Sequence, residues 1–155
     1  MLVDFDILPN DSRIWIFPAA QKLTTDQENY ILNHISEHLQ NWEAHKVPLT
    51  AGVKVFENHF IVVALDDNEA GVSGCSIDTL QNKILKIEKD LSISLMNRLN
   101  VFCRIEDKVT CIPSFKLAES TNKNTLFYDL TIQKKSELSN CLKPIKEGWC
   151  NRFLE

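Results

Sequence analysis

The chain has 155 residues, 44% hydrophobic and 25% charged, with a formal net charge of −4. This length and composition can bury one ordinary core, so we expect a single domain over residues 1–155. Without a basic stripe we expect no nucleic-acid partner, and without an apolar run of about 18 residues we expect no membrane partner. The acidic N-terminus does not resemble a secretory signal, which favours a cytoplasmic location.

Five cysteines are spread along the chain without any C-x-x-C pair: Cys75, Cys103, Cys111, Cys141 and Cys150. Their odd number and irregular spacing indicate neither a disulfide framework nor a zinc ribbon, so we expect reduced thiols. The sequence also lacks a Walker A motif, a dinucleotide fingerprint and a G-x-S-x-G elbow. These absences exclude a P-loop ATPase and the usual serine hydrolases, and no cofactor is predicted.

Four elements are predicted in the first half of the chain. Residues 13–17, RIWIF, are β-branched and aromatic, which is typical of a strand. A capping box at Thr24 or Thr25 begins a helix that runs through about Trp42 with helical apolar spacing. Residues 52–67 predict two strands around a turn, and the second is so continuously apolar that it should be central in the sheet.

The second half continues with a helix ending near Leu91, where apolar residues recur at spacings of three and four. Residues 101–112 alternate as a hairpin, 125–132 predict a strand, and 134–145 a short helix. The order strand, helix, strand, strand, helix, strand is that of a ferredoxin-like two-layer α+β sandwich with two main helices on an antiparallel sheet. The last strand and helix would form a C-terminal extension.

A zinc pattern, H-x-x-E-H, occurs at residues 34–38 in the first helix. Histidines four residues apart share one helical face and can hold one metal ion. However, His38 falls on the packing face, and no second acidic helix offers a third ligand. Ordinary histidines of an amphipathic helix are therefore favoured, and no metal site is predicted.

The stretch AGVSGCSID, residues 70–78, brings two of the four glycines to a cysteine at the predicted start of the second helix. Gly71 and Gly74 allow a tight or positive-φ backbone. Ser76 is the predicted N-cap, and Asp78 in the first turn would suit the positive end of the helix dipole. A purely structural turn would have the same features.

Cys75 is the candidate reactive group in this stretch. The N–H groups and dipole at a helix start favour a thiolate over a thiol, which predicts a nucleophilic or redox cysteine. Such a thiol needs a base, and we prefer His45, in the loop after the first helix, to His59 on a strand. Asp66 or Asp78 would orient the imidazole.

Two alternatives to thiol chemistry remain. The same turn would hold a small anionic or nucleotide-like ligand on its amides, with Ser73, Gly74 and Ser76 as the binding residues. The tail GWCNRFLE, with Arg152 among aromatic side chains, would form part of a self-association surface in a homodimer.

The chain also resembles a family of short bacterial proteins with an SGCSID motif and no established function, some of which carry the label "ABC transporter ATPase". The resemblance covers nearly the whole chain: RIWIF, Trp42 with His45 three residues later, HFIVVALDD, SGCSID, RLNVF and GWCNRF. The label does not fit a sequence without a Walker motif. The resemblance implies a site built from Trp42, His45, Ser73, Cys75, Asp78, Arg98 and Arg152.

Overall fold

A computed structural model describes residues 1–68 and 71–155. Ala70, the first residue of the glycine-containing stretch, lies outside the described residues. The chain is an α+β protein with antiparallel sheets. It forms two compact units, residues 1–96 with 133–136 and residues 97–132 with 137–155. The single domain expected over the whole chain stays a prediction.

The first unit contains five strands and two helices: β1 (Arg13–Pro18), α1 (Thr25–Gln40), β2 (Glu43–Ala44), β3 (Val47–Pro48), β4 (Thr50–Phe56), β5 (Phe60–Asp66) and α2 (Gly74–Leu91). The second contains β6 (Asn100–Ile105), β7 (Lys108–Pro113), α3 (Leu117–Ser120), β8 (Leu126–Tyr128) and β9 (Leu142–Pro144). Short 3-10 helices cover Phe5–Ile7, Ser114–Lys116, Lys135–Asn140, Ile145–Glu147 and Trp149–Leu154. None of the helices in the described residues has the length and apolarity needed to cross a bilayer.

The main sheet of the first unit has the antiparallel order β1-β5-β4. Residues 60–65 of β5 are all buried, which confirms its predicted central position. Alternate β5 residues point to opposite faces, and Ile61, Val63 and Leu65 belong to the core formed with the two helices. The sheet face that carries Ile61, Val63 and Leu65 therefore packs against α1 and α2.

Helix α1 begins as predicted, since the Thr24 side chain accepts from Gln27 N and the Gln27 side chain accepts from Thr24 N. The buried residues of both helices recur with the helical period: Ile31, Ile35 and Leu39 in α1, and Leu80, Ile84 and Ile87 in α2. Burial of each such side chain contributes about 1.5–3 kcal/mol to folding. The apolar periodicity therefore sets which faces of the helices pack.

Residues 133–136 lie along the outer edge of β1, in the segment where the helix over 134–145 was predicted to begin. Ile14 N donates to Gln133 O at 3.0 Å, and Lys135 N donates to Ser12 O at 2.9 Å. A 3-10 helix over Lys135–Asn140 and the strand β9 follow, so the single helix predicted over 134–145 is wrong. The Lys135 ammonium also donates to three carbonyl oxygens around the N-terminal 3-10 helix, those of Phe5, Asp6 and Leu8.

The second unit contains a four-stranded antiparallel sheet in the order β7-β6-β8-β9. The hairpin predicted over residues 101–112 is confirmed, with Glu106 and Asp107 in the left-handed conformation at its turn. Strand β6, expected as the fourth strand of the sandwich, pairs here with β7 and β8.

The strand predicted over residues 125–132 is shorter in the structure, and the strand β9 lies where a helix over 134–145 was predicted. Strand β8 ends at Tyr128 because the Asp129 carboxylate accepts hydrogen bonds from Thr131 N and Thr131 Oγ1, which turns the chain. Lys143 on β9 donates to the same carboxylate at 2.8 Å. Burial alone would raise the pKa of Asp129, but the bonds from Lys143 and Thr131 outweigh it, and the pKa is lowered.

The core of the second unit encloses two of its cysteines, Cys103 and Cys150, with Phe127 and Ile145. Burial raises the pKa of Cys103 to about 12 and also raises the pKa of Cys150 and of half-buried Cys111. All five cysteines of the chain are free. The thiols of this core are therefore protonated at neutral pH.

Candidate functional site

Helix α2 begins at Gly74, and its N-cap is Ser73 rather than the predicted Ser76. Ser73 Oγ accepts from Ser76 N at 3.1 Å, while Ser76 Oγ accepts from Ser73 N at 2.7 Å. This reciprocal pair is a capping box in which serine replaces the usual glutamate or glutamine. As a result Asp78 lies beyond the first turn, which contains no acidic residue.

Neither glycine of this stretch uses the conformational freedom that the sequence suggested. Among the described glycines none has a positive φ, and a Cβ atom added to Gly71 or Gly74 would meet nothing within 4 Å. The backbone here is therefore compatible with other residues.

Cys75 is the second residue of α2, and its side chain is exposed. The first intrahelical hydrogen bond of α2 runs from Ile77 N to Ser73 O, so the amides of Gly74 and Cys75 precede it. Such amides carry the positive end of the helix dipole. Cys75 thus combines solvent access with a position that favours negative charge.

The structure brings Trp42 to the same turn. Trp42 Nε1 donates to Ser76 O at 2.8 Å, and the indole packs edge-on against Trp15 with ring centroids 5.8 Å apart. Trp42 is only 3% exposed and Ser76 only 2%. Both residues therefore fix the start of α2 against the end of α1.

His45 lies at the tip of the β2–β3 hairpin, where His45 and Lys46 have φ values of 51° and 66°. Histidine is among the residues that tolerate this left-handed conformation, which provides a structural reason for its presence. The His45 side chain is exposed, and it has no hydrogen bond or ion pair within residues 1–68 and 71–155. Its proposed role as a base stays a prediction.

The remaining candidates have separate environments. His59 is buried, with Nδ1 3.0 Å from Ala19 O, and Asp66 Oδ1 accepts from Asn68 N at 3.1 Å. Arg98 and Arg152 are exposed residues of the second unit, with the Arg152 guanidinium 4.8 Å from the ring centre of Phe153.

A groove of about 380 Å³ lies between the C-terminal end of α1 and the first half of α2. Its lining residues are Glu37, His38, Asn41, Trp42, Glu43, Thr79 and Lys83. Cys75, Thr79 and Lys83 follow one another at intervals of four, so they form one row along α2. Cys75 is therefore one helical turn from the groove.

His38, which the sequence suggested as a packing residue or, less favourably, a zinc ligand, is the histidine that contacts this row. Its Nε2 is 3.5 Å from Thr79 Oγ1, and its ring centroid is 6.2 Å from that of Trp42. Burial, with a further contribution from the Lys83 ammonium, lowers the pKa of His38. A neutral imidazole with one unprotonated nitrogen is therefore the form present at pH 7.

His34, the first histidine of the H-x-x-E-H pattern, stacks on Tyr30 with ring centroids 4.1 Å apart. Within residues 1–68 and 71–155 no three histidine, cysteine or carboxylate side chains are grouped as metal ligands.

Lys83→Met is expected to raise the pKa of His38, because it removes the nearby positive charge that opposes protonation. The measurement is an NMR titration of the His38 ring protons between pH 4 and 8. Lys89→Met, on the exposed side of the same helix, is the matched control and should leave the titration unchanged. An unchanged or lower His38 pKa in Lys83→Met would contradict the electrostatic coupling.

Three of the residues that line the groove are charged: Glu37, Glu43 and Lys83. None of them was singled out from the sequence. The four-residue spacing of Cys75, Thr79 and Lys83 indicates from the sequence that they share one face of α2, and that face forms one wall of the groove. The opposite wall depends on how α1 packs against α2.

Comparison of the chain with family models, curated proteins and solved structures finds no match.

Proposed function

We propose that the chain acts through Cys75, as a thiol nucleophile or redox thiol, on a small molecule held in the adjacent groove. The observation that carries this proposal is the placement of an exposed cysteine at the second position of α2, one turn from the groove. Helix starts of this kind favour the thiolate, which is the reactive form.

A binding module that holds an anion at the same turn is less well supported. The Ser73 and Ser76 hydroxyls already bond within the capping box, and Ser76 Oγ also donates to Ser73 O at 2.8 Å. An anion would have only the amides of Gly74 and Cys75. We therefore assign Ser73 and Ser76 to the helix start and not to ligand binding.

We propose His38 as the base for the thiol, with His45 as the second candidate. Support for His38 comes from its contact with Thr79, which lies one turn from Cys75 on the same helical row. Its lowered pKa keeps the imidazole neutral and able to accept a proton at pH 7. His45 has the support of its position after β2, a strand that contacts α2.

The test is alkylation at pH 7, in which the thiolate attacks the methylene carbon of iodoacetamide and iodide leaves. We expect one fast adduct by intact-mass spectrometry, formed several-fold faster than in a peptide of residues 71–80. The other thiols should react slowly, since Cys103, Cys111 and Cys150 have raised pKa values.

Two comparisons make the alkylation result specific. Cys75→Ser should abolish the fast adduct, whereas Cys141→Ser, a half-buried thiol in the second unit, should retain it. His38→Gln should slow the reaction and His45→Gln should not. A folded-state rate equal to that of the peptide would overturn the proposal, and the reverse histidine result would reassign the base to His45.

We further propose that the first unit is a variant of the ferredoxin-like sandwich. The order β1-β5-β4 and the packing of both helices on one sheet face support this assignment. The bridge between Arg13 and Lys134 lies on the β1 edge, where the fourth strand of that fold would pair. Five free cysteines support a reducing cytoplasmic location.

A further inference from the structure

The groove beside α2 contains charges of both signs that do not pair with each other. Glu37 and Glu43 line it from the α1 side and Lys83 from α2. In the part of the chain that the structure describes, none of the three side chains has an ion-pair partner within 4 Å. Each therefore retains its charge for an interaction with a ligand.

The two walls of the groove favour opposite charges. Glu37 lies in the last turn of α1, where the carbonyl groups make the helix end partially negative. Glu43 adds a second carboxylate near that end. A ligand cation is favoured there, and a ligand anion is favoured at the Lys83 ammonium.

The neutral groups of the groove carry no formal charge of their own. The Trp42 indole N–H is already bonded to Ser76 O and the residue is only 3% exposed, so it offers a ligand no hydrogen-bond donor. Thr79 Oγ1 donates its only proton to Ser76 O at 2.8 Å, so in its 3.5 Å contact with His38 Nε2 the oxygen can only accept. His38 is neutral at pH 7 because its pKa is lowered by burial and by Lys83.

We infer that this groove binds a small zwitterion, with its ammonium toward Glu37 and Glu43 and its carboxylate toward Lys83. The volume of about 380 Å³ lies within the range of small-molecule sites and is sufficient for a small amino acid. As the substrate class of the Cys75 thiol, this inference rests on the proposed function.

The test uses ω-amino acids of increasing length: glycine, β-alanine, γ-aminobutyrate and 5-aminovalerate. Binding is followed by NMR through the Trp42 indole and His38 ring signals. We expect one member to shift both signals saturably at millimolar concentration, with the matching alkylamine and alkylcarboxylate at least about tenfold weaker. No saturable shift up to about 50 mM, or equal binding of the amine alone, would overturn the inference.

Three variants separate the contributions. Lys83→Met should remove the advantage of the zwitterion over the amine, and Glu43→Gln should reduce its advantage over the carboxylate. Lys89→Met should leave both unchanged, and a loss in this control equal to that in Lys83→Met would contradict the inference.

Cys75→Ser should bind the zwitterion like the parent chain, because the thiol is not needed for binding. If binding is found and the thiol is not reactive, the proposed function fails and the zwitterion site stands. If the thiol is reactive and no ω-amino acid binds, the substrate class fails and the thiol function stands.

Discussion

Trp42→Ala is expected to lower the free energy of unfolding of the first unit by about 3–5 kcal/mol, the range for removal of a buried aromatic side chain. The indole is 3% exposed and contacts Trp15 edge-on, so alanine leaves a cavity beside the helices. It also leaves Ser76 O without its indole donor. The measurement is urea unfolding followed by far-ultraviolet circular dichroism.

Trp42→Phe separates packing from the hydrogen bond in the same experiment. Phenylalanine retains most of the ring but provides no donor to Ser76 O, which still accepts from Thr79 Oγ1, so the loss of this one hydrogen bond costs about 0.5–1.5 kcal/mol. We expect this variant to lie between the parent and Trp42→Ala. A loss below about 1 kcal/mol in Trp42→Ala would mean that the indole does not fix the start of α2.

The same variant connects stability to the proposed site. The hydrogen bond from Trp42 Nε1 to Ser76 O connects the segment after α1 to the first turn of α2, 34 residues later in the chain. In Trp42→Ala that turn loses its anchor, so the alkylation rate of Cys75 should fall toward that of the peptide of residues 71–80. Trp149→Phe, in the second unit, is the control and should leave the rate unchanged.

Gly148→Ala is expected to destabilise the second unit by about 1–3 kcal/mol or more, the range for an overpacked core. A Cβ atom at this position would overlap the aromatic ring of Phe127, which is fully buried between β6 and β9. Such a ring cannot move aside without opening the core around it. Hydrogen exchange of the β6 and β8 amides gives the local measurement.

Gly74→Ala provides the matched control for Gly148→Ala. An added Cβ meets nothing within 4 Å at the first residue of α2, and alanine has the higher helix propensity. We expect this variant to be neutral or stabilised by up to about 1 kcal/mol. Equal losses in the two alanine variants would show that the contact with Phe127 does not govern the effect.

Features with a short-range cause were predictable from the sequence. The Thr24 capping box involves residues three apart, and the β5 run identified a strand buried on both faces. The turn at Glu106 and Asp107 follows from alternation on either side of it. In each case the residues that determine the structure are close together in the chain, so their pattern is visible without tertiary contacts.

The helix start at Ser73 was harder to predict because two serines compete for the same role. Ser73 and Ser76 are both good N-caps by residue type. Only the reciprocal hydrogen bonds between them decide that Ser73 is the cap and Ser76 the third helical residue. That three-residue shift also moves Asp78 out of the first turn.

Which residues come together at the proposed site depends on the tertiary structure. Residue type and helix position were sufficient to select Cys75 and to place it near a helix start. They could not indicate that His38 contacts Thr79, since this contact depends on the packing of α1 against α2. The groove and its unpaired charges exist only where two helices meet, which local sequence patterns do not specify.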